Sequence, residues 1–208
     1  MENLALPKLN ALSPTLDSTL LKMMEEIGEL SEQLELLEEG EGSISSVAEE
    51  LLDLAQTVIT LMFVFEKEGI RVQEWLDDHI EKLIEKKYLK PERRDEILLK
   101  SDGKYQYISL PQLNISGVTL DKTLRNINKA MGRLAQARGK FRGMNGENCM
   151  PKSSEVNKIM GLALLHVAQC CYTMMYVLKN QYGVNIKEIV ERHLEKLERK
   201  GYLSSKVS

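Results

Sequence analysis

The sequence is poor in cysteine and in aromatic residues, and neither sign of charge dominates it. Its 208 residues include 3 cysteines, 5% aromatic residues, and 28 basic against 31 acidic side chains, for a net charge of −3. This balance argues against a dedicated nucleic-acid-binding protein, which usually carries a strongly basic domain. So few cysteines exclude a disulfide framework. We expect free thiols, with Cys170 and Cys171 buried in an apolar helix.

Long apolar runs are also missing. The run at 58–65 is among the longest and falls far short of the ~20 residues that a transmembrane helix needs. The N-terminus lacks the basic and apolar segments of a secretory signal. We therefore expect a cytoplasmic protein that binds no membrane. Abundant Leu and Met together with few aromatic residues favour helices over strands.

An internal duplication organises the chain. Residues 6–30 read LPKLNALSPTLDSTLLKMMEEIGEL, and residues 110–134 read LPQLNISGVTLDKTLRNINKAMGRL with the same spacing. A second pair of blocks reads HIEKLIEKKYL at 79–89 and HLEKLERKGYL at 193–203. We predict a first repeat over 1–89, a charged linker over 90–109, and a second repeat over 110–208.

Each repeat is predicted to hold three helices. In the first repeat they cover about 15–39, 46–67 and 72–87, with Thr15 and Ser46 as N-caps. In the second they cover about 119–141, 154–181 and 186–200, and the only strand we expect is a short one at 105–109. The predicted class is therefore all-α, with the two repeats packed as a pseudo-twofold helix bundle.

Four carboxylates fall on the apolar faces of two neighbouring helices of the first repeat. Glu26 and Glu29 are one turn apart on the first helix, and Glu50 and Asp53 are one turn apart on the second. Burying four acids together is unfavourable unless a cation compensates them. A hard divalent cation such as Mg²⁺ prefers such oxygen ligands, although the same acids could also form a solvated face paired with lysines.

The second repeat lacks these acids. Lys129, Ala130 and Arg133 replace Glu25, Glu26 and Glu29, while Ala163 and His166 replace Glu50 and Asp53. Its first helix carries several cations and no acid over 122–146. These cations either form a solvated face or, as we expect for Arg133, face an anionic substrate.

The run EEIGE, a spacer of twenty residues and ELLD resemble the signature of the all-α nucleoside triphosphate pyrophosphatases, the MazG and dimeric dUTPase superfamily. The first repeat fits that signature at every position, and the second resembles it only as a degenerate copy. The resemblance implies Mg²⁺-dependent hydrolysis, with Mn²⁺ as a substitute, of (d)NTPs to monophosphates and pyrophosphate. It also implies sites at bundle interfaces, usually between subunits.

The resemblance also assigns roles to residues. The metal ligands would be Glu26, Glu29, Glu50 and Asp53, and Glu25 would orient or deprotonate the attacking water. Lys82 and Lys86 on the third helix either serve packing and surface ion pairs or, as we expect because a pyrophosphate leaving group needs cations, bind that group. We further expect a homodimer, because exposed apolar faces of such bundles commonly pair again.

Two other functions remain open on the sequence. A regulatory protein could keep a metal and nucleotide pocket while turning over slowly or not at all. A ferritin-like di-iron bundle is less well supported, because that site needs Glu-x-x-His pairs and neither acidic pair here includes a histidine.

Overall fold

Helices make up most of the computed structural model, which describes residues 4–9, 12–102, 104–144, 146 and 153–203. Cys149 lies outside these residues. The helical class predicted from the sequence is confirmed. The α-helices of the described residues are α1 (Leu16–Glu39), α2 (Ile44–Lys67), α3 (Leu76–Glu85), α4 (Leu120–Arg142), α5 (Ser153–Tyr182) and α6 (Ile186–Arg199).

The first helices of the two repeats begin and end in the same way. The Thr15 hydroxyl accepts a hydrogen bond from the Ser18 amide at the start of α1, and Thr119 caps α4 in the same manner. At the other ends, Gly40 and Gly143 adopt left-handed backbone conformations, which glycine reaches without a steric penalty. The predicted bounds of α1 and its N-cap at Thr15 are confirmed.

Two local predictions about the first repeat were wrong. Ser43, and not Ser46, caps α2, because the helix starts earlier and the Ser43 side chain accepts a hydrogen bond from the Ser46 amide. The third helix begins with a 3-10 turn over Val72–Trp75, and its α-helical part ends at Glu85.

A small antiparallel sheet accompanies the helices. It contains β1 (Leu4–Pro7), β2 (Leu98–Ser101) and β3 (Tyr105–Ser109) in the order β1-β3-β2. The strand predicted at 105–109 is confirmed, but the two other strands were not foreseen. The Tyr172 hydroxyl of α5 donates to the Ile108 carbonyl and accepts from the Leu4 amide, so the sheet is fixed to the helical core.

The core lies between two helical hairpins. Helix α1 packs along α2, and α4 packs along α5, while α2·α5 and α1·α4 contacts join the pairs. Helix α2 buries sixteen residues, including Leu54, Leu61 and Phe65, because apolar side chains surround most of its circumference. The apolar composition of α2 therefore explains why this helix is buried in the middle of the bundle.

The third helix of each repeat packs on the second helix of the other repeat. Helix α6 contacts α2, and α3 contacts α5. The Trp75 ring, which immediately precedes α3, lies over Gly161 of α5, where no side chain stands in its way. Because each third helix packs on the other repeat, the basic residues of α6, and not those of α3, reach the acidic faces of α1 and α2.

Helix α5 is long and apolar enough to cross a bilayer by length and composition, and it alone meets that criterion among the described residues. However, 78% of the relevant stretch is buried inside the structure, as is usual for a core helix. Cys170 and Cys171 lie on this buried helix as free thiols, as the sequence predicted. Burial raises the pKa of Cys170 to about 12, so its thiol stays protonated.

Candidate metal and phosphate site

Three carboxylates of the first repeat converge where α1 faces α2. Oxygen atoms of Glu26, Glu29 and Glu50 all lie within 4.8 Å of one another. Helix periodicity explains this arrangement, because Glu26 and Glu29 are one turn apart on α1 and Glu50 lies on the adjacent antiparallel helix. The group has a gradient of exposure, with Glu26 buried, Glu50 half-buried and Glu29 exposed.

Glu26 is the most constrained of these acids, with only 4% of its surface exposed. Burial raises its pKa to about 7, and the nearby Lys22, whose Nζ lies 2.7 Å from Glu26 Oε1, opposes that rise. The other oxygen, Oε2, is buried and has no hydrogen-bond partner among the described residues. An unsatisfied carboxylate oxygen inside an acidic group is a natural ligand for a cation.

Asp53 is held differently from the other three acids. Lys196 of α6 donates a hydrogen bond to its Oδ2, and His193 Nδ1 lies 3.1 Å from its Oδ1. Burial alone would raise the pKa of Asp53, but the His193 and Lys196 contacts hold it below its ordinary value. Asp53 thus stays ionised and ties α6 to the acidic cluster.

These residues line one cavity of about 660 Å³, a size usual for small-molecule sites. Its lining includes these acids and Glu25 together with three cations, which are Lys22 of α1, Lys196 of α6 and Lys200 at the C-cap of α6. Much of the remaining wall is apolar or hydroxyl-bearing and includes Leu9, Leu12, Ser13, Pro14, Thr57, Thr60 and Tyr202. The cavity therefore offers oxygen ligands, cations and a less polar pocket side by side.

Mg²⁺ fits this donor set. It prefers carboxylate oxygens and is often bound by a few carboxylates together with substrate phosphates. Glu26, Glu29 and Glu50 supply such oxygens, and the unpartnered Oε2 of Glu26 has no competing protein partner in the described chain. No His or Cys belongs to this group, which disfavours zinc.

The structure brings all five sequence-predicted acids into the cavity. Glu25 lies at its rim, exposed and 2.8 Å from Lys22 Nζ. Glu26, Glu29 and Glu50 form the converging group, while Asp53 is held by α6. The Glu25 side chain is 55% exposed, so it can contact solvent that enters the cavity while it is paired with Lys22.

The three cations predicted to bind substrate do not line this cavity. Lys82, Lys86 and Arg133 lie instead around His166 of α5, where their charges help burial to lower its pKa. For the two lysines the reason is that α3 packs on α5, and Arg133 belongs to α4, which also packs on α5.

Other cations of α4 also have different partners. Arg138 Nε lies 3.0 Å and Arg142 Nη1 2.6 Å from the Asp17 carboxylate of α1, and Arg125 pairs with Asp121 on its own helix. The Arg138 hydrogen bond is the main reason that the pKa of Asp17 is lowered. Arg138 and Arg142 thus join the two hairpins, and none of these three arginines lines the acidic cavity.

Sequence reasoning missed the residues that α6 and its C-cap contribute to the site. His193, Lys196 and Lys200 correspond in the duplicated blocks to His79, Lys82 and Lys86, so their residue types were visible. The block HLEKLERKGYL carried the signal. The sequence did not specify which of the two blocks covers the acids. In the structure it is the block of the second repeat.

Comparison of the chain with protein-family models, with curated proteins and with solved structures found no match.

Proposed function

We propose that this protein is a Mg²⁺-dependent nucleoside triphosphate pyrophosphohydrolase that cleaves (d)NTPs to (d)NMPs and pyrophosphate in nucleotide-pool housekeeping. The observation that carries the proposal is one cavity that holds the converging Glu26, Glu29 and Glu50 oxygens together with Lys196 and Lys200. Cleavage of a phosphoanhydride needs compensation of negative charge on both sides of the broken bond. The oxygen ligands and the lysines that line this cavity provide it.

The roles follow from position. Glu26, Glu29 and Glu50 would hold Mg²⁺, with Asp53 completing the set if Lys196 turns from it to the phosphates. A bound Mg²⁺ would supply charge neutralisation at the phosphates and a lowered pKa of bound water. Glu25, at the exposed rim beside these ligands, accepts a proton from the attacking water. Lys196 and Lys200 bind the departing pyrophosphate.

The MazG-like tandem arrangement is part of the same proposal. Matching residues form matching contacts in the two repeats, since Gln56 donates to the Pro7 carbonyl and Gln169 to the Pro111 carbonyl. The reciprocal packing of α3 on α5 and of α6 on α2 supports a pseudo-twofold relation between the repeats. In this arrangement the second repeat supplies, within one chain, what a partner subunit supplies in a dimeric relative.

A homodimer of the whole chain is also proposed. Leu21 and Met24 are 68% and 55% exposed, and they lie one turn apart on α1. A second copy would cover this apolar pair. The cavity itself needs no second copy, because its lining comes from one chain. Light scattering combined with size-exclusion chromatography measures the mass and tests this point.

A turnover assay tests the function. Purified protein is incubated with Mg²⁺ and a panel of NTPs and dNTPs, and pyrophosphate release is measured separately from phosphate release. We expect pyrophosphate from at least one nucleotide, none in EDTA, and loss of more than a hundredfold in Glu26→Gln and Glu50→Gln. Glu35→Gln, an exposed acid on α1 outside the cavity, is the matched control and keeps the rate.

One observation favours the regulatory alternative. Lys22 and Lys196 already neutralise Glu26 and Asp53 in the protein itself, which a binding module with little turnover would tolerate. Mg²⁺-dependent nucleotide binding in calorimetry without pyrophosphate release from any nucleotide would favour this alternative over the enzyme. Release of phosphate alone would contradict the proposed bond cleavage.

A further inference from the structure

The cavity that holds the acids continues along α2 well beyond them. Glu50 and Thr60 both line it, and the helical rise of 1.5 Å per residue separates them by about 15 Å along the helix axis. Thr57 and Thr60 form the α2 wall at the uncharged end, and their hydroxyl groups already donate to backbone carbonyls of α2. A triphosphate with its metal belongs at the acidic end, so the uncharged end is left for the nucleoside.

Tyr202 gives this cavity an aromatic ring. Among the described residues that line the cavity it is the only aromatic one, and it is half-buried. The end of α6 fixes its backbone, because Gly201 takes a left-handed conformation with φ of 68° and the Tyr202 amide donates to the Leu197 carbonyl at 3.0 Å. The ring therefore starts from a backbone position that the helix end determines.

Lys200 connects this ring to the phosphate-binding part of the cavity. Its Nζ lies over the Tyr202 ring, 5.9 Å from the ring centroid, and both residues line the cavity. Lys200 is also one of the two lysines assigned to the pyrophosphate. Since the base and the phosphates of a nucleotide are covalently joined, one ligand can place its phosphates near Lys200 and its base near Tyr202.

Apolar side chains from the segment before α1 line the same cavity. They are Leu9, Leu12 and Pro14, and Leu12 is 42% exposed although it is a large apolar residue. Contact between apolar surface and water is unfavourable, so a ligand with a flat apolar face would be favoured by covering it. A nucleobase has two such faces, and aromatic side chains are the usual stacking partners of bases.

We propose that Tyr202, Leu9, Leu12 and Pro14 form the nucleobase-binding part of the cavity and that the Tyr202 ring stacks on the base. This inference rests on the proposed function, because it concerns the nucleoside of the same substrate. Stacking needs only the π face that every base has, so the substrate class is a nucleoside triphosphate of any base. The second repeat then supplies both the base-binding ring and the phosphate-binding lysines.

Isothermal titration calorimetry in Mg²⁺ with the α,β-imido analogues of ATP and CTP tests the site without turnover, because these analogues lack the bond that is cleaved. We expect Tyr202→Ala to weaken both analogues by about tenfold or more, and Tyr202→Phe to bind them as the wild type does. Inorganic tripolyphosphate, which has no base, should bind equally to the wild type and to Tyr202→Ala. Tyr202→Leu provides a second variant should Tyr202→Ala unfold, which thermal unfolding reveals.

Tyr88→Ala is the matched control. Tyr88 is the counterpart of Tyr202 in the duplicated block of the first repeat, and Lys86 Nζ lies over its ring at 5.9 Å from the centroid. Tyr88 does not line the acidic cavity, so its loss should leave the binding of both analogues unchanged.

Several results would overturn the inference. They are an absence of analogue binding by the wild type, equal binding by wild type and Tyr202→Ala, an equal loss in Tyr88→Ala, and a loss of tripolyphosphate binding as large as that of the analogues. Discrimination between the two analogues of about a hundredfold or more would indicate hydrogen-bond recognition of the base and would also reject it.

The base site and the proposed hydrolysis fail in different ways. Pyrophosphate release from NTPs with the same kcat/KM in Tyr202→Ala and wild type would reject the base site and leave the hydrolysis standing. Analogue binding that depends on Tyr202, without pyrophosphate release from any nucleotide, would support the base site and reject the hydrolysis.

Discussion

The imidazole Nδ1 of His193 lies 3.1 Å from Oδ1 of Asp53, which joins the second repeat's last helix to the first repeat's acidic face. Lys196, one turn further along α6, donates to the other oxygen of the same carboxylate. Asp53 therefore has two tasks, because it belongs to the acidic signature and also holds the helix that completes the cavity. Any ligand that recruits Asp53 has to compete with these two contacts.

Mg²⁺ should stabilise the folded protein against heat. A ligand that binds only the native state raises the free energy of unfolding, by about 2.7 kcal/mol when its concentration is a hundred times Kd. We expect Tm to rise on titration with Mg²⁺, to return in EDTA, and to stay constant in Glu50→Gln and Glu29→Gln. Glu35→Gln should respond as the wild type does, and an Mg²⁺ response retained in Glu50→Gln would contradict the assigned ligands.

Without metal, stability should fall as pH rises through the window set by Glu26. Its folded pKa of about 7 lies above the ordinary glutamate value of 4.5, so the native state binds more protons between these two values. This contribution is present below pH 4.5 and is lost by about pH 7, with a size of about 3 kcal/mol.

Thermal unfolding in EDTA across this range measures the effect. Glu26→Gln keeps a neutral side chain at every pH and should flatten the pH profile and raise the metal-free Tm near pH 7.5. The matched control Glu35→Gln should retain the wild-type slope. A wild-type slope in Glu26→Gln would show that another group titrates.

Removal of Lys196 should reduce turnover strongly and stability slightly. Lys196→Ala takes away a cation facing the carboxylates and one of two partners of Asp53, while His193 keeps the other contact. We expect kcat/KM for the best nucleotide to fall at least a hundredfold, with about 1 kcal/mol lost from the free energy of unfolding. Lys187→Ala, exposed near the start of α6, is the control.

The comparison with Lys82 is also informative. Lys82 is the sequence counterpart of Lys196 but lies by His166. If Lys82→Ala lowers kcat/KM as much as Lys196→Ala does, Lys82 binds the substrate as the sequence predicted, and the assignment of that role to Lys196 alone is wrong.

Gly161 should tolerate no side chain. A Cβ built there would overlap the Trp75 ring, so Gly161→Ala should lower the free energy of unfolding by about 1–3 kcal/mol through overpacking. Gly132→Ala on α4 is the matched control, because nothing lies within 4 Å of its Cβ. Alanine there should stabilise by up to about 1 kcal/mol through helix propensity. Chemical denaturation measures both, and a stable Gly161→Ala would show that the ring moves aside.

Much of the local structure followed from sequence patterns. Thr15 as an N-cap, the bounds of α1 and the strand at 105–109 were predicted correctly, since these depend on residues close in the chain. The cap of α2 was misplaced because Ser43 and Ser46 both begin plausible capping patterns. The strand Leu4–Pro7 was missed because its partner lies about a hundred residues away, and only that pairing makes it a strand.

By itself, the sequence determined that two helices carry acids at one-turn spacing on their apolar faces and that the second repeat has lost them. Periodicity fixes which residues share a helix face, so Glu26, Glu29 and Glu50 could be grouped without coordinates. Only the tertiary structure decided which third helix covers them. The duplicated blocks are nearly interchangeable, and the choice of Lys196 over Lys82 depends on packing between distant segments, where Trp75 fits over Gly161 and His193 meets Asp53.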